Sequence, residues 1–273
     1  MGQDKVRKAA VAGQFYPGKA KDLEEQIKAF IEGKPERKKA IACMLPHAGY
    51  IYSGRVAVKT VSSIDLPQTL VLMGPNHTGS GEEFSIMSEG TWQTPLGEIE
   101  IDSGLAKRML EGSCYLKDDS LAHAYEHSLE VELPILQFFR KDFKIVPIAF
   151  LSGDIEALKK IGSEIAGAIK DSGSEDSVLL VASSDMTHYE PQEYAQKKDN
   201  KAIESILELD EDSLIRRILS LNISMCGYAP VAVMLKAAKL LGAKGGRLIK
   251  YQTSGDITGD KESVVGYAGI IIN

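Results

Sequence analysis

The sequence predicts an α/β protein with three layers, α/β/α, around a mostly parallel central sheet, and a small β insertion over residues 84–101. Three observations carry this. Runs of Val, Ile and Leu on consecutive positions recur along the chain, as in strands buried on both faces. Stretches of helical periodicity alternate with those runs, and strand-then-helix order brings parallel strands together with helices on both faces. The 273 residues, 44% hydrophobic and 26% charged, have the profile of an ordinary globular chain long enough for a large core. With no internal repeat, low-complexity tract or long linker, residues 1–273 read as one domain.

Taken in order, helical spacing covers 19–32, an apolar run at 40–45 reads as a strand, and 54–63 returns to helix. A strand at 69–73 precedes the insertion, whose short strands flank the turn Thr94-Pro95-Leu96-Gly97. Helices over 103–111 and 128–140 lead to a strand at 144–150. The helix over 154–170 has Asp154 as N-cap and Gly173 as its stop. A strand at 178–183 precedes helices over 194–208, 212–219 and 230–241. Pro230 suits the last of these, because the first turn of a helix does not need its N–H. Strands at 248–253 and 264–272 close the sequence.

Composition excludes several classes of function. Against 32 Lys+Arg stand 38 Asp+Glu, a net charge of −6, which speaks against nucleic acid as the main partner. The clusters Arg37-Lys38-Lys39 and Lys197-Lys198 are short and read as solvated faces. No run of about 18 apolar residues is present, so no membrane partner is expected. The start, Met1 to Gly13, lacks the apolar core of a signal peptide. Met1-Gly2 is followed by Val6 where lipidation wants Ser or Thr. Three scattered cysteines, Cys43, Cys114 and Cys226, form no disulfide framework, and a cytoplasmic, reducing location is expected.

In open α/β sheets ligands sit beyond the carboxyl ends of the strands. His47 follows the first strand in Pro46-His47-Ala48-Gly49-Tyr50, and His77 follows the second in Gly74-Pro75-Asn76-His77. Asp185 and His188 follow the strand at 178–183. A single loop histidine is more often a surface or hydrogen-bonded residue, but three delivered to one sheet edge point to a shared site. Cys226 lies just ahead of a helix, where the terminal partial charge favours a thiolate; the alternative is a small buried hydrophobe. Cys43 fits that alternative, and Cys114 carries no signal.

The segment Glu126-His127-Ser128-Leu129-Glu130-Val131-Glu132 is expected to open the helix over 128–140, with His127 and Glu130 on one face. It reads either as part of the site or its support, or as an acidic first turn favoured by the helix dipole. His123 and His127 are four apart, but Ala124 stands where the metalloprotease motif has Glu, so His123 reads as incidental. Two imidazoles and a thiolate, with a carboxylate and another imidazole close by, suit iron, copper or zinc rather than magnesium or calcium.

In these segments the chain resembles the Memo family. The likeness runs through Ala12-Gly13-Gln14-Phe15-Tyr16-Pro17, the motif from Pro46 to Tyr50 with Ser53-Gly54, and Gly74-Pro75-Asn76-His77. It continues in Thr94-Pro95-Leu96, Glu126-His127-Ser128 with Glu130, Ser183-Ser184-Asp185 with His188, Cys226-Gly227, and Val265-Gly266-Tyr267-Ala268-Gly269. The resemblance implies a fold like that of the class III extradiol dioxygenases, non-haem iron enzymes that open catechol rings. It implies His47, His77 and Cys226 as metal ligands, with Asp185 and His188 lining the site as hydrogen-bonding or acid/base groups. Where extradiol enzymes complete the ligand set with a carboxylate, Cys226 stands here, and a thiolate alters the softness and potential of the metal.

Bacterial and archaeal members of the family accompany a radical SAM protein and an AMMECR-type protein. Animal members are described as redox-active metal proteins and as binders of phosphotyrosine peptides. Two expectations follow. The first is an iron- or copper-dependent redox or dioxygenase-like protein acting on a small molecule, with His188, Asp185 and His127 as catalytic residues. Here Asp185 would orient His188, which would act as acid or base. The second is a binding or scaffold protein whose pocket takes a peptide or an anionic group. A zinc hydrolase, and a Cys226 nucleophile paired with His188, are further options.

Overall fold

The computed structural model describes residues 6–33, 36–151 and 153–273; Met1 and Gly2, which bear on lipidation, lie outside them. The chain opens with β1 (Val6–Arg7), α1 (Ala20–Ala29), β2 (Ala42–Leu45), α2 (Tyr50–Val61) and β3 (Thr69–Pro75). Next come β4 (Phe84–Ile86), β5 (Thr91–Thr94), β6 (Gly97–Glu100), α3 (Ser103–Glu111), β7 (Lys117–Asp118), α4 (Leu121–Ala124) and α5 (Glu132–Phe139). The second half holds β8 (Lys144–Phe150), α6 (Ile155–Asp171), β9 (Val178–Ser183), β10 (His188–Glu190), α7 (Gln192–Leu207) and α8 (Glu211–Ser220). It ends with α9 (Tyr228–Leu240), β11 (Gly246–Thr253), α10 (Gly255–Thr258) and β12 (Val264–Ile272).

Apolar runs become the centre of the sheet. Every residue of β2, β3 and β9 is buried, and these strands with β8 form a parallel block in the order β2-β9-β3-β8. Antiparallel strands flank the block: β12 on the β2 side and β4 on the β8 side. The outer edge of β12 pairs first with β10 and then with β11, and β7 runs parallel to β4. Helices α1, α2 and α5 pack together, with α2 on β2, β11 and β12. Helices α6, α7, α8 and α9 pack together as well, with α9 on β9 and β3 and α7 on β12. The result is the three-layer α/β/α architecture.

The insertion divides between two sheets. Strand β4 joins the main sheet, while the β5–β6 hairpin, turning at Pro95-Leu96, pairs with β1 in a separate three-stranded sheet. Which sheet a short strand joins is set by its partner, and local pattern does not encode that.

One expected helix start is corrected. The helix over 128–140 begins only at Glu132, and 128–131 is a turn. Its polar groups bond to distant segments instead of along a helix. Ser128 donates its hydroxyl proton to the Pro75 carbonyl at 2.7 Å, and the Glu130 carboxylate is taken by Arg7, Tyr16 and the N–H groups of Ala10 and Val11. His127 and Glu130 therefore do not pair across a helix face. By contrast α6 starts where expected, with Asp154 accepting from Glu156 N–H at 2.9 Å and Ala157 N–H at 3.1 Å. Helix α2 starts earlier, at Tyr50, whose N–H is held by the Phe15 carbonyl at 2.8 Å.

Candidate metal centre

Because β2, β9 and β3 are adjacent and parallel, with Leu45 level with Ser183 and Met73 with Ala182, they release the chain at one edge. Pro46-His47 leaves β2, Asn76-His77 leaves β3, and Ser184-Asp185 leaves β9. Cys226 arrives at that edge from the turn ahead of α9. Close approach needs glycine there: a Cβ on Gly227 would lie 2.3 Å from the Ser183 carbonyl oxygen, and one on Gly74 would lie 2.7 Å from Leu129.

One donor atom each from His47, His77 and Cys226 lies within 4.8 Å of the others. His47 Nε2 faces Cys226 Sγ at 3.3 Å, a separation that two ligands of one metal adopt at bond lengths of about 2.0 to 2.3 Å. His127 adds a third imidazole. The ring centroids are 5.2 Å apart for His47–His77, 5.5 Å for His47–His127 and 4.7 Å for the stacked pair His77–His127.

Each ring is held from behind. His47 Nδ1 contacts Ser183 Oγ at 2.8 Å. His77 Nδ1 donates to Glu126 Oε1 at 3.0 Å, and His127 Nδ1 is 3.2 Å from the same oxygen. Glu126 also accepts the backbone N–H groups of His127 and Ser128 at 2.8 Å each, and that of His77. His77, Glu126 and His127 form a second group with metal-ligand spacing. With its lone pairs already taken by N–H donors, Glu126 is built to orient imidazoles rather than to bind an ion.

Burial, and then the neighbouring His77 and His127, hold the His47 imidazolium form well below its ordinary range. The ring is 2% exposed, and its environment favours the neutral form, the form that could hold a metal. Burial pushes Glu126 up, but the hydrogen bond and charge of His77 and the Ser128 N–H outweigh it and hold the carboxyl at about 2. Asp185 is raised to about 6 by burial, against the opposing pull of His188 and the N–H groups of His47 and Ala48. Its carboxylate accepts His47 N–H at 2.9 Å, and its own N–H points at Cys226 Sγ, 3.3 Å away. Burial and the Asp185 charge push the Cys226 thiol up. In the metal-free protein both work against the thiolate that the start of α9 favours.

The remaining candidates fall into place around this core. His188 is partly exposed in β10, and its ring donates from Nδ1 to the Ser224 carbonyl at 2.9 Å. The orienting partner of that ring is thus Ser224 rather than Asp185. His123 stands apart, buried against Trp92 at 5.7 Å. Cys43 is in the β2 core and Cys114 is exposed. Two residues quoted in the sequence motifs were given no role there. Ser183 holds His47, and Glu132 lies fully buried at 2.9 Å from Ser183 Oγ. The available signal for Glu132 was a carboxylate opening an otherwise apolar helix, Glu132-Leu133-Pro134-Ile135-Leu136.

The fold and the cluster at its strand ends define an α/β protein that gathers two imidazoles and a thiol at a spacing that could hold a metal ion. Residues 7–271 match the family model described as Memo-like protein. The chain is 45% identical over 269 residues to a MEMO1 family protein of Methanosarcina mazei, covering 98% of this chain and 99% of that one. It is 42% identical to one of Aquifex aeolicus, at the same coverage of both chains, and 40% identical over 276 residues to one of Nitrosopumilus maritimus, covering 97% and 98%. The chain belongs to the Memo family. Among the described residues no helix is long and apolar enough to cross a membrane.

Proposed function

We propose that this Memo-family protein binds one iron or copper ion through His47, His77 and Cys226 and carries out redox chemistry of the dioxygenase-like kind on a small molecule. The observation that carries the reading is the convergence of one thiol and two imidazoles at 4.8 Å or closer, with the Nδ1 atoms of both rings already occupied. A set of two nitrogens and one sulfur suits iron, copper or zinc, and it is a poor match for oxygen-seeking ions. Bound there, iron or copper would supply one-electron chemistry and open coordination positions.

The chain's own residues supply the rest. Glu126 keeps His77 and His127 aligned through its hydrogen bonds. Asp185, raised to about 6, can take or give a proton near neutrality beside Cys226. His188, held through Nδ1 by Ser224, presents Nε2 at the partly exposed rim of the site, where it can accept a hydrogen bond or a proton from a substrate. A thiolate ligand lasts only where it is kept reduced, so we place the protein in the cytoplasm.

Metal analysis of protein purified and reconstituted without oxygen tests the reading. Wild type is expected to hold about one iron or copper per chain, and His47→Ala to lose it. Zinc alone at full occupancy would replace the redox reading with a hydrolytic one. If no metal is retained while a peptide or anionic ligand is still captured, the protein is a binding module.

A further inference from the structure

We propose that Glu132 is a neutral acid that donates its proton to Ser183, closing a hydrogen-bond chain that fixes His47 with its proton on Nδ1 and leaves Nε2 free for a metal. The argument rests on one oxygen with three partners. Ser183 Oγ lies 2.8 Å from His47 Nδ1, 2.7 Å from the Ser128 carbonyl oxygen and 2.9 Å from Glu132 Oε1. A serine hydroxyl has one proton to give and two lone pairs to receive with. The Ser128 carbonyl can only accept, so the Ser183 proton goes there. Both remaining partners must then donate. His47 must carry its proton on Nδ1, and Glu132 must be protonated on Oε1.

Other assignments leave something unpaid in the interior. If Ser183 donated to an ionised Glu132, the Ser128 contact would lose its proton and a fully buried carboxylate would remain. That carboxylate would have one oxygen, Oε2, without a hydrogen-bond partner among the described residues. Asp185, Tyr50 and Cys43 are the titratable groups around it, and the Asp185 charge opposes its ionisation. If instead Ser183 donated to His47, the ring proton would sit on Nε2, 3.3 Å from Cys226 Sγ, where the metal needs a lone pair. Glu126 does the same for His77 by accepting from its Nδ1, so two unrelated devices impose one tautomer on two rings. Glu132 acts through Ser183 and is a positioning residue.

The inference builds on the metal-site reading, but its first two tests use metal-free, reduced protein and therefore stand or fall separately from it. Infrared difference spectra between wild type and Glu132→Gln at neutral pH are expected to show the loss of a carboxylic acid C=O stretch. Nitrogen-15 NMR is expected to show the His47 ring, assigned by its absence in His47→Gln, with the proton on Nδ1. The third test titrates the protein with copper(II). Glu132→Leu and Ser183→Ala are expected to weaken binding about ten- to a hundredfold, while Glu132→Gln, whose amide can still donate to Ser183, keeps the wild-type affinity. Loss of a carboxylate band instead of an acid band overturns the proposal. So does a His47 proton on Nε2, or a Glu132→Gln variant as weak as Glu132→Leu. Should Glu132→Leu fail to fold, the spectra of wild type and Glu132→Gln decide alone.

Discussion

At the scale of single residues, Cys226 shows two opposing effects and which one dominates. The start of α9 favours a thiolate by a fraction of a charge, worth about 0.3–1 kcal/mol. Burial beside the Asp185 carboxyl works the other way and favours the neutral thiol in the metal-free protein, so a metal bound there would have to displace its proton. The three cysteines of the metal-free protein should accordingly react with iodoacetamide at neutral pH in an order set by exposure and environment. Cys114, exposed, is modified first, Cys226 far more slowly, and Cys43 not until unfolding. Mass spectrometry of timed digests reads this order. Modification of Cys226 at or above the rate of Cys114 would restore the free-nucleophile reading. Glu126 makes the complementary point, because there hydrogen bonds and charge defeat burial. What decides between the two carboxylates Glu126 and Glu132 is the donors around them, and composition does not show those.

At the scale of elements, the site depends on a short strand far from it in sequence. Arg7 of β1 is buried over Trp92 of β5, 4.5 Å from its ring centroid, and pairs with Glu130. Its guanidinium also donates to the His123 carbonyl at 3.0 Å and the Glu126 carbonyl at 2.6 Å. The two-residue strand therefore clamps the irregular segment that carries Glu126 and His127. Removing one partner of a buried ion pair leaves the other charge uncompensated, at a cost of about 3–5 kcal/mol. Arg7→Ala is expected to lower the unfolding free energy by that amount in urea titrations, and to weaken metal binding because Glu126 loses its anchor. Arg7→Ala with unchanged stability would mean that the clamp is not structural. The sequence shows an unremarkable Arg7 and a helix-like Glu130, and only the pairing of β1 with β5 brings them together.

At the scale of the whole molecule, proton linkage connects the buried acid to stability. The ordinary pKa of Glu132 is 4.5, and burial raises it well above that, so the native state keeps a proton that the unfolded chain releases. Wild type is therefore penalised progressively as pH rises above about 4.5, by no more than about 1.4 kcal/mol per pH unit. Asp185, raised to about 6, adds a penalty of the same sign between its ordinary 3.8 and that value. Glu132→Gln removes the first penalty and leaves the second. Its stability relative to wild type should thus grow between pH 4.5 and 7, as read from urea midpoints, and a constant difference would show that Glu132 ionises normally in the fold.

The layered α/β/α class, most strands and helices, and the residues gathered at the strand ends were legible in the sequence alone. Consecutive buried apolar positions, helical period and reactive residues just past strands are all local signals, and they locate His47, His77, Asp185 and Cys226. Local pattern could not divide the insertion between two sheets, nor see that 128–131 is a turn, because those outcomes depend on partners distant in the chain, β1 and β8 for the insertion and Arg7 for Glu130. Nor could it assign protons. The proposed tautomer of His47 and charge of Glu132 rest on three contacts to a single serine hydroxyl, and only the tertiary fold, which brings the ends of β2 and β9, the 128–131 turn and the start of α5 together, brings those contacts into being.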